Sequence, residues 1–418
     1  MSTSPGFLER RLVPALTALS DNIYLSAIRA GMVSVVPLTI IGGFFMIVAF
    51  LPIPGWDKIV APYAPVLQVP VTATFGLLAV FVCFAIAYDL GKRLKLEAIV
   101  SASMATVVFL MLSIKVSDLT LAIDGLGSKG LFTAILVALI VVRVQKVFTD
   151  RNLVIKLPAS VPVAVYESFV SLTPLLFLVL VFWGIRFLLG VDIDQFVQAA
   201  FQPLVFALNT LPGILVYAFA VTLLWSIGIN GDNALDAIVA PIFLQFLAAN
   251  VAATAAGQPL PYVTANGFFS TFVNVGGTGA TLALALVLLN SKEPGFRQVS
   301  RLSLPTQIFQ INEPIFFGIP IVLNPIFMLP YVLNALLLTA GTYLLMDWHL
   351  IQKPFVNVPW TTPPIIGHYL VTGGDWRAAV WGVVSIGIAM AIYYPFAKVA
   401  ERRRLLSASA GVEKRGKA

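Results

Sequence analysis

The stretch QINEPIFFGIPIVLNPIFMLPY, Gln310–Tyr331, is apolar in bulk but carries one carboxylate, Glu313, beside Asn312. No other Asp, Glu, Lys, Arg or His lies between Arg301 and Asp347. Pro314, Pro320, Pro325 and Pro330 remove backbone donors, so a helix here cannot run straight. Broken backbone at membrane depth is tolerated only where protein buries it or where it lines a cavity. A lone carboxylate in such a place marks a functional site, the structural alternative being a packed Glu that closes a hydrogen bond between helices. Its chemistry would be to read hydroxyl groups, as the side chains of Asn, Asp and Glu do.

Two further segments gather polar groups where a membrane protein avoids them. Trp225–Ala237, WSIGINGDNALDA, combines Gly228 and Gly231 with Asn230, Asp232, Asn233 and Asp236. Asn357–Thr362 sets Trp360 between prolines and threonines. Asn, Asp and Glu read hydroxyls, aromatic rings stack on the apolar face of a pyranose, and glycines expose amide donors. Sugar binding uses that mixture. Glycine and proline are ordinary in membrane helices, so each segment alone is weak; their gathering in one half of the chain is stronger.

The elements that must hold these residues follow from composition. The 418 residues are 59% hydrophobic and 11% charged. A soluble protein carries about 25% charged residues, so this is a polytopic membrane protein, all-α. The net charge of +7 fits basic cytoplasmic loops and not nucleic-acid binding. One cysteine, Cys83, excludes an internal disulfide and reads as a small buried hydrophobe; His349 and His368 are too few for an obvious metal site. No cofactor is expected, and no signal peptide is visible.

Residues 5–27 suit a short surface helix at the cytoplasmic face. Gly31–Phe50, Val71–Tyr88, Ala98–Ile114, Gly130–Val142 and Phe169–Ile185 then read as five spans, with Lys92, Arg93, Lys95 and Arg143, Lys146, Arg151 marking the inside. Leu157–Pro174 reads as a proline- and serine-rich loop. The expected division is an N-terminal block at 1–190, a C-terminal sugar-binding and translocation block at 191–400, and a basic, disordered cytoplasmic tail at 401–418. Gln195–Gly231 has no charge and suits a connecting helix plus one span. Ala237–Ser291 suits two spans, or a re-entrant hairpin given Pro241 and the polar break at Gln258–Asn266; it also holds a glycine patch, Val275–Thr281. Ile326–Met346 and Ala378–Ala397 span again, with both termini inside, and about ten crossings fit.

NEPIFFGIPIVLNPIFMLPY, followed by NVPWTTPPI at Asn357–Ile365, resembles enzyme IIC of the bacterial sugar phosphotransferase system, in its lactose/cellobiose/diacetylchitobiose branch. The resemblance extends over nearly the whole chain. It implies ten transmembrane helices plus two re-entrant hairpins, a homodimer with the N-terminal block as scaffold, and a place in the bacterial cytoplasmic membrane. It also implies a membrane subunit of a sugar phosphotransferase with no phosphorylation site of its own. Such a subunit binds a β-linked disaccharide, moves it inward and presents its 6-hydroxyl to a phosphocysteine on the cytoplasmic partner IIB, with IIA upstream. The likeness makes Glu313 the catalytic residue contacting that hydroxyl, and Asn312, Trp225 and Trp360 sugar contacts. The motif G-I-H-G stands here as Gly228-Ile229-Asn230-Gly231, and the likeness makes Gly228, Asn230 and Gly231 substrate-binding; Asn230 can still hydrogen-bond a hydroxyl but cannot shuttle a proton. His368 could replace that histidine spatially, although a packed histidine fits its surroundings better. The alternatives are a proton-coupled secondary sugar transporter, with Glu313 as proton carrier, and a non-transporting sugar sensor.

Overall fold

The structure, a computed structural model, describes residues 22–49, 55–155, 158, 163–319 and 321–415. Among the described residues it is helical, without strands beyond one isolated bridge between Ile114 and Leu121. Seven helices are long and apolar enough to cross a bilayer, or eight if the bent pair Ile193–Leu208 and Leu211–Ser226 forms one span. The expected ten is reached only if shorter or broken segments cross too, such as the apolar helix Ala98–Leu112.

The first block opens with α1 (Ile23–Ser34), whose N-cap Asn22 accepts from the amides of Tyr24 and Leu25, and α2 (Val36–Ala49). The surface helix expected at 5–27 lies largely outside the described residues; from Ile23 the chain is already in α1. After α3 (Ala64–Thr74), the core helix is α4 (Leu78–Arg93), which packs against α1, α5 (Ala98–Leu112) and α6 (Leu131–Asp150). Cys83 is fully buried on it. Gln145 of α6 accepts a 2.7 Å bond from Ser101 of α5, closing a buried polar pair between them. Leu157–Pro174, expected as a loop, is helical from Val163, where α7 (Val163–Trp183) begins; Pro174 sits within an apolar helix that a membrane favours.

Asp192 caps α8 (Ile193–Leu208) by accepting from the Gln195 amide, and the chain then bends 84° into α9 (Leu211–Ser226). Thr210 caps the new helix. α8 exposes Phe196 and Phe206, in keeping with a connecting helix followed by one span. Next comes α10 (Gly231–Ala255), continuous through Pro241. Of its apolar window 61% is buried inside the protein, against 22% for Phe169–Leu188 and for Trp376–Ser407, so α10 is central and the other two face lipid.

Beyond α10 the second span expected before Ser291 does not form as one helix. A polar stretch leads into the wide turn Phe268–Val273, the glycine patch, and the eight-residue α11 (Thr281–Leu288). Its residues are largely buried by protein, the condition under which broken backbone survives at depth. α12 (Pro294–Ile308), α13 (Glu313–Gly318) and α14 (Pro325–Asp347) follow. Pro314 and Pro325 stand at helix starts, where a missing N–H costs little; Pro330 lies inside α14, and Pro320 is outside the described residues. After an irregular segment come α15 (Ile366–Val371) and α16 (Trp376–Arg415). The tail expected to be disordered continues α16 through Arg415. Its start is anchored: Glu401 accepts from Ser291 at 2.7 Å, and Arg404 lies over the Phe296 ring.

Candidate functional site

The site begins where α9 ends. Gly228 holds φ +89°, a conformation that penalises side chains, and reverses the chain after Ser226. Asn230 caps α10: its Oδ1 accepts from the Asn233 amide at 2.9 Å. A β carbon on Gly231 would lie 2.1 Å from the Val221 carbonyl oxygen, so α10 starts directly against the α9 backbone. Asn is among the best N-cap residues, which gives a local reason for Asn at this position of the motif.

Asp232, in the first turn of α10, collects donors from three side chains. Trp225 Nε1 and Thr278 Oγ1 donate to Oδ2 at 2.8 and 2.5 Å, and Asn274 Nδ2 donates to Oδ1 at 3.3 Å. Trp225 is buried and meets Phe316 edge-on at 5.0 Å between ring centres. The glycine patch is held from its other side by Gln310, whose Oε1 accepts from the amides of Gly276 and Gly277 at 2.6 and 3.2 Å. Asn312 Nδ2 donates to the Thr278 carbonyl at 3.1 Å. Glu313 opens α13 with its side chain exposed to the cavity and without a hydrogen bond or ion pair among the described residues. Its side chain is open to the cavity and does not close a hydrogen bond between helices among the described residues.

The third segment closes the opposite wall. Asn357, buried, accepts from Asn266 at 3.0 Å and donates to Thr39 of α2 at 2.5 Å. Trp360 is 58% exposed, its ring unburied at the cavity edge. His368 is buried on α15, accepts from the Ile365 amide at 3.2 Å and packs edge-on to Phe272 at 4.5 Å; it does not line the cavity.

These segments enclose a cavity of about 470 Å³. Trp225, Asn230, Asn312, Glu313 and Trp360 line it; Gly228 and Gly231 do not, acting instead as the turn that presents Asn230 and Asp232. Sequence reasoning missed Asn266, Asn274, Thr278 and Gln310 as lining residues, along with the rings of Tyr217, Phe243 and Phe269. The available signal was the glycine patch, noted without a role, in a charge-free run that holds Asn266 and Asn274. The cavity also reaches the first block through Met32, Val33, Val36 and Thr39, and Arg29 of α1 donates to the Asn233 carbonyl at 2.9 Å. Its described lining holds three carboxyl side chains, Asp232, Asp236 and Glu313, and no Lys, Arg or His. No cluster of His, Cys, Asp and Glu able to hold a metal occurs among the described residues.

With this geometry in place, comparison with known proteins becomes informative. The profile of the family "Phosphotransferase system, EIIC" matches residues 29–335. The "Putative permease IIC component YwbA" of Bacillus subtilis is 36% identical over 98% of this chain and 98% of its own. The "PTS system cellobiose-specific EIIC component" of Geobacillus stearothermophilus is 34% identical over 95% of this chain and 94% of its own. The crystal structure of the transporter ChbC, the IIC component from the N,N'-diacetylchitobiose-specific phosphotransferase system, superposes with a TM-score of 0.91 at 32% identity, covering 97% of this chain and 99% of that one. A helical membrane architecture, a polar cavity among broken segments and these matches lead to one family: the chain belongs to the EIIC components of the phosphotransferase system, multi-pass permeases of the bacterial cell membrane.

Proposed function

We propose that this permease binds a β-linked disaccharide of the cellobiose, lactose or diacetylchitobiose class, carries it inward and presents its 6-hydroxyl for phosphorylation. The observation that carries this reading is the cavity in which Glu313, Asn312 and the rings of Trp225 and Trp360 meet. Its volume falls within the ~300–1,000 Å³ of small-molecule sites. A lining with carboxyl, amide and hydroxyl groups but no cation suits a neutral polyol. The names of the relatives support the same class.

Chemistry requires a phosphoryl donor, and relatives named EIICB join a B part to the C part. In the proposed reaction the sugar O6 attacks phosphorus on a phosphocysteine of the B partner. The O–P bond forms, the S–P bond breaks, and the thiolate leaves. The hydroxyl proton passes to the exposed Glu313 carboxylate, while Asn312 fixes the hydroxyl. The B partner, recharged by an A component, docks on the basic cytoplasmic loops, with both termini on that side. Residues 1–190 serve as scaffold and dimer contact, and 191–400 carry sugar binding and translocation.

Glu313→Gln tests the assignment on one preparation. Sugar binding should weaken by about 1–3 kcal/mol, the worth of a hydrogen bond to a charged group. Partner-dependent phosphorylation should fall roughly 10²–10⁴-fold as general-base catalysis is lost. Unchanged phosphorylation would remove Glu313 from the mechanism. Uptake driven by the proton gradient and independent of phosphoenolpyruvate would replace the reading with a proton-coupled transporter.

A further inference from the structure

Asp232 is an acceptor-only group at the centre of three donors that come from two separate parts of the chain: Trp225 at the end of α9, and Asn274 and Thr278 in the glycine patch. Each of these hydrogen bonds fixes the orientation of its donor. The Asn274 amide must turn Nδ2 toward Asp232, which leaves its Oδ1 without a partner among the described residues. Thr278 is gripped twice, at its hydroxyl by Asp232 and at its carbonyl by Asn312. Asn312 is the immediate neighbour of Glu313, so the geometry of α10's first turn reaches the start of α13 through one residue.

We infer that Asp232 is the positioning residue of this site: it locks the end of α9 and the glycine patch in one arrangement and, through Thr278, fixes the orientation of the Asn312 side chain next to Glu313. The inference rests on reading the cavity as a sugar site. Asp232 does this by accepting hydrogen bonds; its charge is not required. In Asp232→Asn the remaining oxygen can still accept from Trp225 and Thr278. The new amide nitrogen then faces Asn274, whose amide turns over to accept. All three links survive without the charge. Asp232→Ala removes all three, and Thr278→Val removes one while keeping the side-chain shape.

The test measures disaccharide Kd, and kcat and KM for partner-dependent phosphorylation, per folded molecule, in Asp232→Asn, Asp232→Ala, Thr278→Val and Thr278→Ser. Misplacement of a reacting group costs rate steeply, so Asp232→Ala and Thr278→Val should lose roughly 10–100-fold in kcat at saturating sugar. Asp232→Asn and Thr278→Ser should stay within about threefold of the parent. A role confined to fold stability would lower the yield of folded protein and leave kcat per molecule unchanged, which overturns the inference. Asp232→Asn as impaired as Asp232→Ala also overturns it, because charge would then be what matters. Amide hydrogen exchange over residues 274–279 and 310–313, measured without ligand, separates this inference from the sugar reading. Exchange should be faster in Asp232→Ala than in Asp232→Asn, and equal exchange refutes the network even if no disaccharide binds.

Discussion

The phosphorylated product should bind this cavity more weakly than the sugar it came from, and Glu313→Gln should narrow the difference. The described lining contains no Lys, Arg or His to receive a phosphate, and Glu313 stands unpaired in the open cavity. A phosphate monoester carries about −1.5 to −2 charges at neutral pH. If Glu313 is within hydrogen-bond reach of O6, the phosphate of the product sits about 5 Å from its oxygens. At that distance unit charges repel by roughly 0.8 kcal/mol in water and ~3 kcal/mol at the effective dielectric of a protein surface. An exposed carboxylate lies between these limits. The expected penalty is about 1–3 kcal/mol, or roughly 5–150-fold in Kd. Calorimetric competition between a disaccharide and its 6-phosphate, on the parent and on Glu313→Gln, reads it directly. Salt should shrink the difference, since screening acts over about 10 Å at 0.1 M. Equal affinities in the parent, or a penalty that Glu313→Gln leaves intact, would refute the reasoning.

Three substitutions probe the frame of the site. Gly231→Ala places a methyl group 2.1 Å from the Val221 carbonyl, so α10 must move off α9; a loss of about 1–3 kcal/mol in stability should appear as a lower thermal midpoint of the detergent-solubilised protein. Asn230→Ala removes the cap of α10 and should cost about 1 kcal/mol in the same measurement, whereas Asn230→Asp keeps the acceptor and should cost little. Trp360→Ala should weaken disaccharide binding without changing the elution profile on gel filtration, because its ring is 58% exposed and supports little of the fold. Binding as tight as in the parent would make Trp360 a structural residue.

Composition alone places the chain in a membrane, since 11% charged residues cannot cover a soluble surface. The sequence also points to where function is proposed to reside, because an isolated Glu313 and three broken, polar segments are costly in lipid. Charge alternation marked the helices of the first block, because apolar length and basic loops are local properties. What failed were readings that depend on neighbours. Val163–Pro174 has the composition of a loop but is helical where an apolar setting supports it. Ala237–Ser291, which suited two spans and a re-entrant hairpin equally, is one long helix followed by a buried irregular segment, and its composition did not choose between the two.

How the polar segments divide their work depends on the packing of distant helices. Gly228 and Gly231 look like exposed amide donors in one dimension, yet they shape a turn and a helix contact. Asn230 caps α10 through its Oδ1 while lining the cavity, Trp225 is tied to Asp232, and His368 is packed against Phe272 away from the cavity. The glycine patch and the Gln310–Tyr331 stretch drew notice in the sequence, but the roles of Asn274, Thr278 and Gln310 did not show, because the type and spacing of a residue do not encode which distant group will face it. Thr39 joins the cavity by a hydrogen bond to Asn357, across most of the chain's length. A hydrogen bond needs its donor and acceptor within about 3 Å, and at these sequence separations the packing of helices, rather than any local pattern, brings them that close.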